Sequence, residues 1–274
     1  MESKKIIVPV DFTTASGKAI ALAMVIAKRA HCSITIFHVL NNDSPLKRKT
    51  EPSEVEDKLQ ALADKVGNEG INCQTVIANG NIFDEIPAIA NQPENFMLVI
   101  GTHGVHGIKQ ILLGADILNI VRQISIPCMI VQEDFVYEKL NPIVFPVGAH
   151  SGFRQLIDAT AMMARLFDAE VHIYSVSRVG EQMSDKIKQN ILLAEQVFDE
   201  KSITYKRVKD DSTIVSVGYA KQTIQYANSV GAGMIAIMSV KSAEHYYFAQ
   251  ADKENMINNP YNIPVMCLNG IENS

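Results

Sequence analysis

The chain has 274 residues, of which 47% are hydrophobic and 20% charged, a composition typical of a globular protein. Its formal net charge of −5 gives none of the clustered positive charge that nucleic acid or an anionic membrane requires. The sequence shows no secretory leader and no run of about 18 apolar residues that could span a membrane. We therefore expect a cytoplasmic protein with neither nucleic acid nor membrane as a partner.

Short apolar runs alternate with amphipathic segments through the first half of the chain. Runs rich in Ile and Val between turn residues are typical of strands buried on both faces of a parallel sheet. We predict such strands near residues 5–10, 33–40, 72–78, 96–101 and 127–132. Between them apolar residues recur with helical spacing, which predicts helices near 15–30, 53–69, 82–91 and 115–124.

The second half repeats the apolar runs of the first half at one offset. Aligning Pro9 with Pro146 gives 146 − 9 = 137, and the same offset aligns Val39 with Val176 and Cys128 with Val265. A constant offset over several runs indicates a tandem duplication. It predicts strands in the second half near 142–147, 169–176, 203–208, 233–238 and 263–268.

The alternation of strands and helices predicts an α/β fold with two tandem domains, residues 1–137 and 138–274. We read five β-α units in each half, which indicates a doubly wound, Rossmann-like parallel sheet of five strands. We expect the two domains to pair within the chain through their apolar fifth strands. Ligands of such sheets bind outside the carboxyl ends of the strands, so a site is expected just after strands 1, 2 and 4.

Three glycines follow the fourth predicted strand at a distinctive spacing. Two residues separate Gly101 from Gly104, and nine separate Gly104 from Gly114. Glycines let backbone N–H groups approach an anion, and the following helix presents its positive N-terminus there. The spacing is neither that of a P-loop nor that of the dinucleotide fingerprint. An ordinary loop whose glycines serve turns is the alternative.

With these motifs the sequence resembles the universal stress protein family. Its ATP-binding members carry G-x2-G-x9-G-(S/T) after strand 4, an Asp that ends strand 1 and an apolar residue that ends strand 2. The resemblance implies that Asp11 contacts the ribose or base, that Val39 contacts the adenine and that the glycine loop contacts the phosphates. It also implies a nucleotide-facing turn at Gly80. The implied nucleotide-binding residues are Val10, Asp11, Val39, Gly80, Gly101, His103, Gly104, Gly114 and Ala115.

The sequence departs from the family pattern after the last glycine. The family has Ser or Thr there, whereas this chain has Ala115 followed by Asp116. A hydroxyl that would contact a phosphate is missing, and a carboxylate is added at the same helix N-terminus. One interpretation is weaker binding of ATP; the other is that Asp116 is a favourable acidic residue in the first turn of a helix. ATP, ADP and AMP all remain candidate ligands, with Mg²⁺ as a candidate ion.

The second half lacks most of these residues. At the offset of 137, Gly148 replaces Asp11, Met238 replaces Gly101, Lys241 replaces Gly104 and Ala251 replaces Gly114. Only the valine of the second strand is retained. We therefore expect the nucleotide site of residues 138–274 to be degenerate, and we expect a nucleotide in the first half alone.

The sequence favours a binding or regulatory protein without efficient catalysis, one that responds to stress as the resemblance implies. A weak ATP hydrolase is one alternative, and a scaffold that binds no nucleotide is another. His103 and His106 suggest a metal, but no third ligand has convincing spacing, so we predict no metal site. The family resemblance also allows a homodimer.

Overall fold

A computed structural model describes residues 4–40, 52–102, 114–178, 182–212, 218–240 and 250–270. In the first half the strands are β1 (Lys5–Pro9), β2 (Ser33–Leu40), β3 (Cys73–Asn79), β4 (Asn95–Thr102) and β5 (Cys128–Gln132). The helices between them are α1 (Thr14–Ala30), α2 (Pro52–Gly67), α3 (Ile82–Ala90) and α4 (Gly114–Val121). Each element lies within a few residues of its predicted position.

The second half follows the same sequence of elements. Its strands are β6 (Ile143–Pro146), β7 (Val171–Arg178), β8 (Tyr205–Ser212), β9 (Met234–Met238) and β10 (Val265–Leu268). Its helices are α5 (Phe153–Phe167), α6 (Asp185–Glu200), α7 (Tyr219–Ser229) and α8 (Gln250–Ile257). The α/β fold class is confirmed. One detail was wrong: residues 133–142, between β5 and β6, contain no helix, so the first half has four β-α units and a fifth strand.

All ten strands form one sheet in the order β3-β2-β1-β4-β5-β10-β9-β6-β7-β8. The two halves therefore have the same internal order, since β8-β7-β6-β9-β10 mirrors β3-β2-β1-β4-β5. Pairing is parallel within each half. The predicted boundary between residues 137 and 138 falls in the connection from β5 to β6 and stays a prediction.

The two halves meet where β5 pairs antiparallel with β10. Met129 lies opposite Met266, and Cys128 lies opposite Cys267. Because Met129 and Met266 are equivalent at the offset of 137, this pairing relates the halves by an approximate two-fold axis. The fifth strands thus make the contact that we predict from their apolar character.

The core lies on both faces of the sheet. Along β1, Ile6 and Val8 pack on one face and Ile7 packs on the other, and all three are buried. Helices α1, α2, α5 and α6 cover the first face, whereas α3, α4, α7 and α8 cover the second. Each hydrophobic cluster contains residues of both halves, so the pairing of β5 with β10 continues into the core.

The four cysteines are free thiols, of which Cys32, Cys128 and Cys267 are buried and Cys73 is half-buried. Burial raises the pKa of Cys32 to about 11 and the pKa of Cys267 to about 12. Burial also raises the pKa of Cys128, and the neighbouring Cys267 adds to that effect. A thiolate is the nucleophilic form, so these side chains are poor nucleophiles at neutral pH. Of the helices that the structure describes, none is long and apolar enough to cross a membrane.

Candidate functional site

The carboxyl ends of β1, β2 and β4 lie side by side because β1 is the middle strand of the three. The Val10 N–H donates to the Phe37 carbonyl at 2.8 Å, which extends the β1–β2 pairing by one residue. Asp11 follows Val10, and Val39 lies two residues beyond Phe37, close to the end of β2. The topology therefore brings the predicted residues of strands 1, 2 and 4 to one edge of the sheet, as a ligand site requires.

The turn from β1 into α1 holds the carboxylate of Asp11 in place. Asp11 is exposed, and its Oδ1 accepts from the Thr13 N–H at 3.1 Å and from the Thr13 hydroxyl at 2.5 Å. The Thr13 hydroxyl oxygen accepts in turn from the Ser16 N–H, so Thr13 is the N-cap of α1. Val10 is buried beneath this turn. A carboxylate held at the mouth of the site can accept further hydrogen bonds from a ligand.

The sequence analysis did not predict three residues near Asp11, namely Phe12, His38 and Lys58. Phe12 has φ 62°, a left-handed conformation that is uncommon for a bulky residue. Its ring lies 4.9 Å from the His38 ring, and the Lys58 ammonium lies 5.5 Å from its centroid. The His38 Nδ1–H donates to the Val10 carbonyl at 2.7 Å. An aromatic ring and a cation thus lie beside Asp11 at the same edge of the sheet. The left-handed φ of Phe12 is the structural feature that draws attention to them.

The predicted residues Val39 and Gly80 lie at the end of β2 and just after β3. Val39 is half-buried in β2 and packs against the core on the α3 side of the sheet. Gly80 lies in the turn between β3 and α3, and its N–H donates to the Leu40 carbonyl at 3.1 Å. Asn81 then caps α3 by accepting from the Phe83 N–H at 3.0 Å.

Gly101 in β4 is a glycine because α1 approaches it closely. A Cβ at this position would overlap the carbonyl group of Ala15 and would lie 2.8 Å from the Ser16 nitrogen. The close partner is backbone, which cannot move aside as a flexible side chain can. Gly101 therefore has a packing role at the start of α1 that is independent of any ligand.

The glycine loop itself is described only at its two ends. Gly114 begins α4, and a Cβ there would lie 2.9 Å from the Asn258 side-chain nitrogen, which belongs to the second half. Ala115 follows it in the helix, and Asp116 is half-buried in the first turn. His103 and Gly104, together with His106, lie outside the described residues. Their assignment to phosphate binding stays a prediction.

In the second half, side chains occupy the positions of the predicted site. Met238, in place of Gly101, is buried, and its terminal methyl group packs on Gly270. Lys253 stands at the position of Asp116 and is 1% exposed. Its ammonium donates to the Ser239 carbonyl at 3.0 Å and to the Val240 carbonyl. These contacts fill the edge that the first half leaves to Asp11 and Gly101. Lys241 lies outside the described residues.

A separate polar cluster lies at the amino end of β7, away from this edge. The Tyr226 hydroxyl donates to His172 Nδ1 at 2.8 Å, and His172 Nε2 donates to Glu170 at 3.0 Å. Burial lowers the pKa of His172 despite the carboxylate beside it. Lys206 forms an ion pair with Glu170 at 3.2 Å. Every member of the cluster has a partner, which is what a buried polar group in a stable core requires.

The lowered pKa of His172 predicts a loss of stability at mildly acidic pH. As the pH falls below about 6.5, the unfolded chain binds a proton at this residue that the folded chain does not. The free energy of unfolding should therefore decrease as the pH falls from 7 towards 5. Urea denaturation across that range measures the slope, and His172→Gln should reduce it. An unchanged slope in that variant contradicts the prediction.

Within the described ranges, no group of three or more His, Cys, Asp or Glu residues is arranged to hold a metal ion. The Mg²⁺ that we consider as a candidate ion stays a prediction, with Asp116 and the phosphates of a bound nucleotide as its candidate ligands. Carboxylates and phosphate oxygens are ligands that Mg²⁺ prefers.

A sheet of this topology, with its candidate residues beyond the carboxyl ends of central strands, is that of a doubly wound α/β protein, a class that binds ligands at this edge. Residues 2–132 match the model of the universal stress protein family. Universal stress protein YxiE of Bacillus subtilis is 24% identical over 47% of this chain and 98% of its own length. Universal stress protein MJ0577 of Methanocaldococcus jannaschii is 24% identical over 47% of this chain and 94% of its own.

Several solved structures match both halves together. A universal stress protein from Archaeoglobus fulgidus superposes with a TM-score of 0.76 over 99% of this chain and 100% of its own, at 17% identity. This likeness shows the fold. Together with the family match over residues 2–132 and the two relatives, it confirms the resemblance to the universal stress protein family in a tandem form.

Proposed function

We propose that the N-terminal half binds an adenine nucleotide and that the protein acts by binding, as a regulator in the stress response, without efficient catalysis. The observation that supports this proposal best is the arrangement of Asp11, Val39 and Gly101 at one edge of the sheet. Asp11 presents an exposed, oriented carboxylate there, while Val39 offers an apolar surface for a base. We propose a cytoplasmic location for the protein.

The second half supports the proposal by contrast. Its equivalent edge is filled by the Met238 side chain and the Lys253 ammonium, so a nucleotide would have to displace both. We therefore propose one nucleotide per chain. The same contrast argues against a scaffold in which both sites are lost, because among the described residues no side chain fills the edge in the first half as Met238 and Lys253 fill it in the second. We also propose that a homodimer, if it forms, uses surfaces other than β5, which β10 covers within the chain.

The first test replaces Asp11 by alanine. The variant removes a carboxylate that can accept hydrogen bonds from the ribose or base, and bonds to charged groups contribute about 1.5–3 kcal/mol. Calorimetric titration with AMP and ADP should therefore show at least a ten-fold loss of affinity. Glu94→Ala is the matched control: it removes a carboxylate from the opposite end of β4, where Glu94 pairs with Lys5 at 3.7 Å.

The control should bind as the wild type does, and thermal melts of both variants should show that they remain folded. Equal loss in both variants, or two equivalent sites per chain, contradicts the proposal. Mass spectrometry of the ligand released from freshly purified protein then distinguishes a binder from a scaffold. Hydrolysis of ATP that is fast and abolished by Asp11→Ala would favour the enzyme instead.

A further inference from the structure

The second half has a cavity of its own between α6 and the outer edge of the sheet. Its volume is about 310 Å³, close to the lower end of the ~300–1,000 Å³ range of small-molecule pockets. Strands β7 and β8 form one wall, and α6 forms the other. It lies two strands away from the edge of β9 that Lys253 and Met238 fill, so it is separate from the degenerate nucleotide site.

The wall from the sheet combines an apolar residue with two cations. Ile173 of β7 lies opposite Arg207 of β8, and Ser175 lies opposite Lys209. Since side chains alternate along a strand, these four residues share the face that is covered by α6. Ile173 is 1% exposed and forms the deep part of the wall.

The wall that α6 forms also combines apolar residues with a cation. Lys188, Ile191 and Leu192 are three and four residues apart, so they lie on the same side of the helix. Leu192 is 59% exposed, which is unusual for a large apolar side chain beside a cavity. Met183, just before α6, adds a flexible apolar side chain at the mouth.

Among the residues that the structure describes, none of those that line the cavity is acidic, although the chain carries 30 Asp and Glu against 25 Lys and Arg. Arg207 forms an ion pair with Glu195, and Lys188 pairs with Asp185 at 2.9 Å, both outside the lining. The Lys188–Asp185 pair is exposed, and such pairs contribute little to stability. The Lys188 ammonium can therefore turn towards an anion in the cavity at little cost.

The equivalent position in the first half lacks these cations. At the offset of 137, Ile36 and His38 correspond to Ile173 and Ser175, and their partners across β3 are Thr75 and Ile77. The duplicated fold alone therefore does not require Arg207 and Lys209 here. Charges that merely protect an edge strand from pairing would also need no apolar cavity beneath them.

We propose that this cavity binds a small amphiphilic anion: a carboxylate that carries one short aliphatic chain. The chain packs against Ile173, Ile191 and Leu192, and the carboxylate lies between Lys188 and Lys209. A free molecule fits better than a lipid in a membrane, because a cavity of this volume holds a single short chain. The proposal is independent of nucleotide binding.

Octanoate is the probe. Acetate, which carries the charge, and octanol, which carries the aliphatic chain, are its controls. Calorimetric titration of the full chain should show octanoate binding at least ten-fold more tightly than either, because acetate lacks the chain and octanol lacks the charge. From butanoate to octanoate the affinity should rise about four-fold per methylene. Equal binding of acetate, equal binding of octanol, or binding of phosphatidylglycerol vesicles without binding of octanoate overturns the proposal.

Two double variants of equal charge test the site itself. Lys188→Gln with Lys209→Gln should weaken octanoate binding about ten-fold. Lys186→Gln with Lys206→Gln, on the same helix and strand but outside the lining, should leave it within about two-fold. Leu192→Gln should also weaken binding, and it alters an exposed position. If both double variants weaken octanoate binding equally, the effect comes from net charge alone, and the proposed site is refuted. Asp11→Ala should not affect octanoate, which separates this test from that of the nucleotide site.

Discussion

Replacing Gly101 by alanine is expected to lower the free energy of unfolding by about 3 kcal/mol, the upper part of the range for an overpacked core. The added methyl group would overlap the carbonyl group of Ala15 in α1. Relief requires α1 to move away from β4, and α1 carries buried residues along its whole length. Denaturation by guanidinium chloride measures the loss.

Gly17→Ala is the matched control for that experiment. Gly17 lies in α1 itself, is exposed, and has no atom within 4 Å of an added Cβ. Alanine in place of glycine inside a helix should raise the free energy of unfolding by about 0.5–1 kcal/mol. The two variants add the same methyl group to the same half of the protein. If both are equally stable, Gly101 is not a packing residue, and its role is confined to a ligand.

This result bears on the interpretation of the glycine motif. The sequence predicts that Gly101 lets a phosphate approach the backbone, whereas the structure shows that it lets a helix approach a strand. Both can hold, since the N-terminus of α1 and the site lie at the same edge. Loss of nucleotide binding in a Gly101 variant would therefore not establish a phosphate contact. Asp11 is the better residue to change for that purpose.

The positions of strands and helices could be predicted because each leaves a local pattern of apolar residues. The strand β8 is the exception: we predict it near 203–208, but it extends over Tyr205–Ser212. Its last residues are charged, and an edge strand needs no continuous apolar run because one of its sides is open.

The candidate site was predictable where a residue type is tied to a short motif, as Asp11 is. Its neighbours were not, because they come together through tertiary contacts. Nothing local in the sequence places Asn258 against Gly114, since these residues belong to different halves. Similarly, the burial of Lys253 depends on carbonyl groups at the end of β9. Comparison of the halves at the offset of 137 is the one signal that identifies its position as equivalent to Asp116.

ATP is expected to bind weakly, because of the two residues that follow Gly114. Ala115 lacks the hydroxyl of the family pattern, and a lost hydrogen bond to a charged phosphate amounts to about 1.5–3 kcal/mol. Asp116 is half-buried in the first turn of α4. At about 6 Å from a phosphate charge, its carboxylate adds roughly 0.7–2.8 kcal/mol of repulsion for effective dielectric constants from 80 down to 20.

Together these terms amount to about 2–6 kcal/mol, a large part of the ~8 kcal/mol that corresponds to micromolar affinity. AMP should lose less, because it does not extend to this point of the loop. The double variant Ala115→Ser, Asp116→Val restores the family pattern and should tighten ATP binding at least ten-fold, with little effect on AMP. Because Asp116 lies in the first turn of α4, its replacement by Val also removes a favourable interaction with the helix dipole, which should slightly lower the melting temperature.

A divalent cation would turn the interaction between the Asp116 carboxylate and a phosphate from unfavourable to favourable. Mg²⁺ held between the carboxylate and a phosphate turns repulsion into coordination, so wild-type ATP binding should improve with Mg²⁺ more than that of the double variant. Titrations of both proteins with ATP and AMP, with and without Mg²⁺, distinguish these effects. Tight binding of ATP to the wild type without metal, or no gain from the double change, contradicts the phosphate argument. Adenine recognition by Asp11 and Val39 would then be independent of the effect of Ala115 and Asp116 on phosphate binding.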